Sequence, residues 1–132
     1  MSAFYVHAFF MTAGLLAMTA GVSVARFLRR KQWWLKIHRT AGITVVVCLS
    51  AGFAAAIVMV SQSGGGQFKI PHAWLGLVTV LCTVAAPTLG YLQFKIRSKI
   101  QQLRLWHRRT GYAALTMTLL SVLSGLVIAG II

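Results

Sequence analysis

The sequence predicts an all-α integral membrane protein, a four-helix bundle threaded up-down-up-down as a parallel internal repeat of two helix pairs. Three observations predict it. Hydrophobic residues make up 58% of the 132 and charged residues only 10%, far from a soluble average. Four apolar runs, near residues 3–27, 37–60, 70–94 and 105–131, each reach the roughly 20 residues that a bilayer crossing needs. The second and fourth runs also open alike, with His38-Arg39-Thr40-Ala41-Gly42 answered by His107-Arg108-Arg109-Thr110-Gly111. A single domain, residues 1–132, accounts for the chain, and the short polar links leave nothing for a soluble catalytic domain.

The first run has no basic leader or small-residue cleavage site and carries His7, so it reads as retained rather than processed. The second follows a basic link with Trp33 and Trp34, residues suited to a membrane interface. The third starts at Pro71, whose missing N–H is no loss in a first turn, and contains Pro87, which should kink it. Trp106 marks the entry of the fourth. Cys48 and Cys82 each fall ten residues after a histidine, inside an apolar run, and read as small buried residues rather than a disulfide.

There are thirteen basic residues and no acidic one. The first link and its flanks hold Arg26, Arg29, Arg30, Lys31, Lys36 and Arg39. The third holds Lys95, Arg97, Lys99, Arg104, Arg108 and Arg109, while the second holds only Lys69. The positive-inside rule then places the basic loops in the cytoplasm and both termini on the outer side. Juxtamembrane clusters of this kind face anionic lipid, so the bilayer is the expected partner and nucleic acid is not.

Ionisable side chains within membrane segments are costly and mark cofactors or charge pathways. Each run carries one histidine near its start: His7, His38, His72 and His107. Threading puts His7 with His72 toward the outer leaflet and His38 with His107 toward the inner one. Below each histidine, helical periodicity traces a face of small or flexible residues. These faces are His7, Met11, Gly14, Met18, Gly21; His38, Gly42, Val45, Leu49, Gly52; His72, Gly76, Thr79, Thr83, Ala86, Gly90; and His107, Gly111, Ala114, Thr118, Ser121, Gly125.

Any one histidine alone reads more readily as an interfacial anchor than as a ligand, and small-residue faces also serve ordinary helix packing. Four matched ones read as two bis-histidine sites, the axial ligands of two haem irons. Gly42, Gly76 and Gly111 lie one turn past a histidine and Gly14 two turns past, where a side chain would meet a porphyrin edge. The distal glycines Gly21, Gly52, Gly90 and Gly125 would face the haem of the other leaflet. Zinc fits poorly, since the histidines divide between leaflets and no carboxylate or nearby cysteine completes a tetrahedral set. Without a C-x-x-C-H motif the expected cofactor is two non-covalent haem b groups. About fourteen residues separate the two levels, near 20 Å at 1.5 Å per residue, a span electron tunnelling can cross.

The carriers of a family likeness are His7 on a Gly-containing helix ending in Val24-Ala25-Arg26-Phe27-Leu28-Arg29, then Lys36-x-His38, His72-Ala73-Trp74-Leu75-Gly76 and His107-x-x-x-Gly111. In these the chain resembles the cytochrome b561 family, transmembrane di-haem cytochromes often associated with ascorbate oxidation and reduction of ferric iron or monodehydroascorbate. The resemblance implies a four-helix core with two b haems, an inner reductant site lined by basic residues and an outer acceptor site. Lys36 and Arg26 match its inner basic positions, and Arg39 and Arg108 are candidate substrate or propionate contacts beside them. Members commonly have six helices, and Pro71 stands before His72 where animal and plant members have other residues. The leading expectation is electron transfer from a cytoplasmic small-molecule or protein donor, such as ascorbate or a quinol, to an outer acceptor. Two alternatives stay open: a haem-bearing subunit of a larger redox complex exchanging electrons with quinone or a partner protein, and a haem-free membrane anchor.

Overall fold

The computed structural model describes residues 3–132, and among them there are four long helices and no strand. Helix α1 spans Ala3–Phe27, α2 Trp34–Gln62, α3 Pro71–Lys95 and α4 Ile100–Ile128, the last preceded by a 3-10 turn at Arg97–Lys99. All four are long and apolar enough to cross a membrane. The first span coincides with its expected limits. Helix α2 starts three residues early and α4 five, because hydropathy marks only the apolar part of a helix. The polar residues Gln101, Gln102 and Arg104 are helical in spite of it, their backbone bonds being local.

The ends of α2 and α4 repeat one another in detail. After Gln62, Gly64 takes φ +69°, with Gly64 N–H donating to Ser61 O and Gly65 N–H to Val60 O. After Ile128, Gly130 takes φ +68°, with matching bonds from Gly130 to Val127 O and from Ile131 to Leu126 O. Both are Schellman stops, which need a left-handed residue and so a glycine. The second ends α4 three residues before the limit expected from hydropathy. Pro71 is the first residue of α3, after an extended Ile70, and the helix continues through Pro87.

Helices α1 and α2 form one closely packed hairpin and α3 and α4 another. Lighter contacts join α2 to α3 and α1 to α4, while neither diagonal pair approaches through its backbone. The predicted faces are the ones buried: Met11, Gly14, Met18 and Gly21 on α1, Val45, Leu49 and Gly52 on α2, Thr79, Thr83 and Ala86 on α3, Ala114, Thr118 and Ser121 on α4. The interior differs between the halves. Met11, Met18, Val45, Leu49 and Ala114 form an apolar cluster, whereas the α3–α4 seam is hydroxyl-rich. There the Ser121 hydroxyl donates to Thr79 Oγ1 (3.0 Å), and Thr79 donates onward to Leu75 O (2.8 Å). Cys48 and Cys82 are free thiols, both partly buried.

Candidate functional site

The four histidines meet in two pairs, each across a diagonal of the bundle. The His7 and His72 ring centres lie 6.3 Å apart with planes at 86°, and those of His38 and His107 lie 5.8 Å apart at 83°. A metal–imidazole bond of about 2 Å on each side, with the ring radii added, calls for about 6 Å between ring centres. Both pairs have that spacing. Among the described residues no three of His, Cys, Asp and Glu come together, so the donor set at each end is two imidazoles.

The backbone fixes which nitrogen each ring presents. His7 Nδ1–H donates to Gly52 O (2.8 Å), His38 Nδ1–H to Gly21 O (3.0 Å) and His107 Nδ1–H to Ala86 O (2.7 Å). His72 Nδ1–H donates to Ser124 Oγ (2.8 Å), whose own proton goes to Ser121 O (3.1 Å). All four Nδ1 atoms are thus engaged, leaving Nε2 as the free lone pair, the arrangement that orients metal-binding imidazoles elsewhere. Every enclosed side-chain nitrogen or oxygen among the described residues has a hydrogen-bond partner, so the unpartnered Nε2 atoms must face open space.

A single spacing underlies these bonds. Gly21 lies fourteen residues beyond His7, Gly52 fourteen beyond His38, and Ala86 fourteen beyond His72. Each of the three carbonyls therefore sits on one helix of a hairpin at the level of the other helix's histidine. The two histidine levels are separated by about 21 Å along the helices, as the sequence indicates.

The glycines divide into two groups. Gly42 and Gly111, one turn past His38 and His107, would place a Cβ with nothing within 4 Å, and at Gly76 a Cβ would touch only the Phe53 ring at 3.9 Å. These three leave room beside the paired imidazoles. Gly14 is different: a Cβ there would fall 2.5 Å from Leu49 Cδ2, so it is the point where α2 closes on α1. The distal glycines lie against protein atoms of the neighbouring helix. A Cβ on Gly90 would stand 3.1 Å from His107 Cε1, one on Gly125 3.3 Å from His72 Cε1, one on Gly52 3.2 Å from Met11 Sδ, and one on Gly21 3.0 Å from Ala41 Cβ. Gly90 and Gly125 back the imidazoles directly, and Gly21 and Gly52 supply the carbonyls that hold them. At Gly90 and Gly125 the face is small where an imidazole from the neighbouring helix presses on it.

At the basic end, Arg26, Lys36, Arg39 and Arg108 are all exposed, and Arg39 lies over the Phe94 ring at 5.4 Å. The residues that actually reach the His38 pair are Trp34, its ring centre 6.2 Å from that of His38, and Arg29, whose guanidinium stacks on Trp34 at 5.7 Å. Sequence reasoning placed Trp34 at the interface without this contact. The i, i+4 spacing to His38 carried the signal.

The fold and these sites define a class: a helical membrane protein whose interior carries paired imidazoles at two levels. A family model described as "Eukaryotic cytochrome b561" matches residues 6–131. The chain belongs to that family, whose cofactor is b-type haem and whose work is haem-dependent electron transfer across membranes. No curated protein and no solved structure matches the chain.

Proposed function

We propose that this chain holds two b-type haems, one between His7 and His72 and one between His38 and His107, and conducts electrons from the basic side of the membrane to the other. The observation that carries the reading is the pair of imidazole couples at 6.3 and 5.8 Å, each ring with Nδ1 engaged. When bound, haem supplies a one-electron couple whose potential its axial ligands and their surroundings set. The chain's residues do the rest. The four histidines ligate, their acceptors fix tautomer and ring plane, and Gly42, Gly76 and Gly111 keep side chains off the macrocycle. Gly14 acts indirectly, letting α2 come close to α1.

The six-one-six distribution of basic residues supports an orientation with the His38/His107 level at the cytoplasmic face and both termini outside. Outward electron movement there gains about 2.3 kcal/mol per 100 mV of inside-negative potential. Lys36, Arg39, Arg26 and Arg108 draw an anionic donor such as ascorbate, and Arg29 on Trp34 brings the charge to the edge of His38. Lys36→Ala should slow reduction by ascorbate, most at low salt where steering is strongest; an unchanged stopped-flow rate removes Lys36 from the donor site.

The reading as a whole is tested by a reduced-minus-oxidised spectrum with haem quantification on the purified chain. Two b haems per chain are expected. None, after haem-replete expression, leaves a membrane anchor. A partner that co-purifies in fixed ratio and is needed for turnover makes the chain a subunit of a larger redox complex.

A further inference from the structure

The fourth histidine breaks the rule that the other three obey. By the fourteen-residue spacing, His72 should donate to the carbonyl of Ser121, fourteen residues beyond His107. It does not: the Ser124 hydroxyl stands between, accepting from His72 Nδ1–H at 2.8 Å and donating to Ser121 O at 3.1 Å. The residues that match Ser124, seventeen beyond each of the other histidines, are Val24, Ala55 and Leu89, none with a hydroxyl. In the first hairpin, where Ala55 holds the matching place on α2, His7 reaches the Gly52 carbonyl directly.

Resting on the two-haem reading above, we propose that Ser124 is a positioning residue that weakens electron donation by His72 and so raises the reduction potential of the His7/His72 haem. An imidazole whose Nδ1 proton is drawn by a strong acceptor becomes more basic at Nε2 and favours the higher charge on the iron. An amide carbonyl is such an acceptor, and a serine hydroxyl is a weaker one. His72 is therefore less electron-rich than its partner His7, which donates to a carbonyl at the same 2.8 Å, and this favours the ferrous state at its end. The Ser124 proton is committed to Ser121 O, so the hydroxyl can only accept from His72 and still fixes its tautomer. The Ser121 hydroxyl is turned away toward Thr79 (3.0 Å) and does not compete.

The test is a potentiometric titration of the purified two-haem chain, followed by visible absorbance, for the parent chain, Ser124→Ala and Ser124→Thr. The wave lost in His72→Ala identifies the site. Ser124→Ala removes the intervening hydroxyl and frees the Ser121 carbonyl for His72, as the Gly52 carbonyl serves His7 beside Ala55, so the reduced-to-oxidised ratio of that wave should fall about threefold at fixed ambient potential. At 59 mV per tenfold for one electron this is a downward shift of about 30 mV. The other wave should not move, and Ser124→Thr, which keeps the hydroxyl, should match the parent. If Ser124→Ala fails to retain haem, Ser124→Gly, which also leaves the carbonyl free, carries the same downward expectation. A wave that stays put or rises, both waves moving together, or Ser124→Thr shifting as far as Ser124→Ala would each overturn the proposal. A parent chain without two haems overturns the underlying reading instead.

Discussion

His107→Ala should cut the haem content of the chain from two to one and remove one wave of the redox titration, leaving the other in place. The two sites share no ligand, and His7 and His72 keep their own acceptors on Gly52 and Ser124. Outer contacts that merely orient a ligand typically cost about 10–100-fold in metal affinity when lost, and removal of the ligand itself costs more. His72→Ala should do the same to the other wave. The measurement is haem per chain by extraction and absorbance. Retention of two haems by either variant rules out that histidine as a ligand.

Gly111→Leu should also abolish haem at the His38/His107 pair, and it separates cofactor binding from packing. A side chain at Gly111 meets no protein atom within 4 Å of its Cβ, yet the residue lies on the face that continues into the buried Ala114 and Thr118. The bundle alone thus sets no protein atom against the Cβ of a leucine there, whereas a porphyrin held by His107 would compete for the same volume. The expected outcome is a monodisperse, helical protein with one haem. Gly14→Leu supplies the contrast: its side chain drives into Leu49, and overpacking of that kind costs about 1–3 kcal/mol or more, so the fold should suffer first. Unchanged haem content in Gly111→Leu would place the macrocycle elsewhere.

Much of this arrangement is legible in the sequence, because a membrane helix declares itself by length and its inward face by the small residues that let neighbours approach. The pairing of His7 with His72 and His38 with His107 follows from threading direction and the likeness of the two halves. Three things escaped. The outer turns of α2 and α4 are polar, and hydropathy does not register a backbone that satisfies itself. The part played by Gly21, Gly52 and Ala86 lies in their carbonyls, which carry no side-chain signature. Ser124 became conspicuous only once the other three histidines had shown which carbonyl it displaces.

The diagonal placement of the imidazole pairs has one more consequence. Within each half, helix lies on helix along its length; along the diagonals, α1 and α3, and α2 and α4, make no close backbone approach, and the imidazole pairs bridge them. A group clasped by both rings of a pair is thus a crossbeam between two prefabricated halves. Ligands that bind only the assembled form add their binding free energy to its stability. In such a molecule, loading with cofactor and closing of the seam are one equilibrium, and a chain short of haem should come apart into hairpins before its helices unwind.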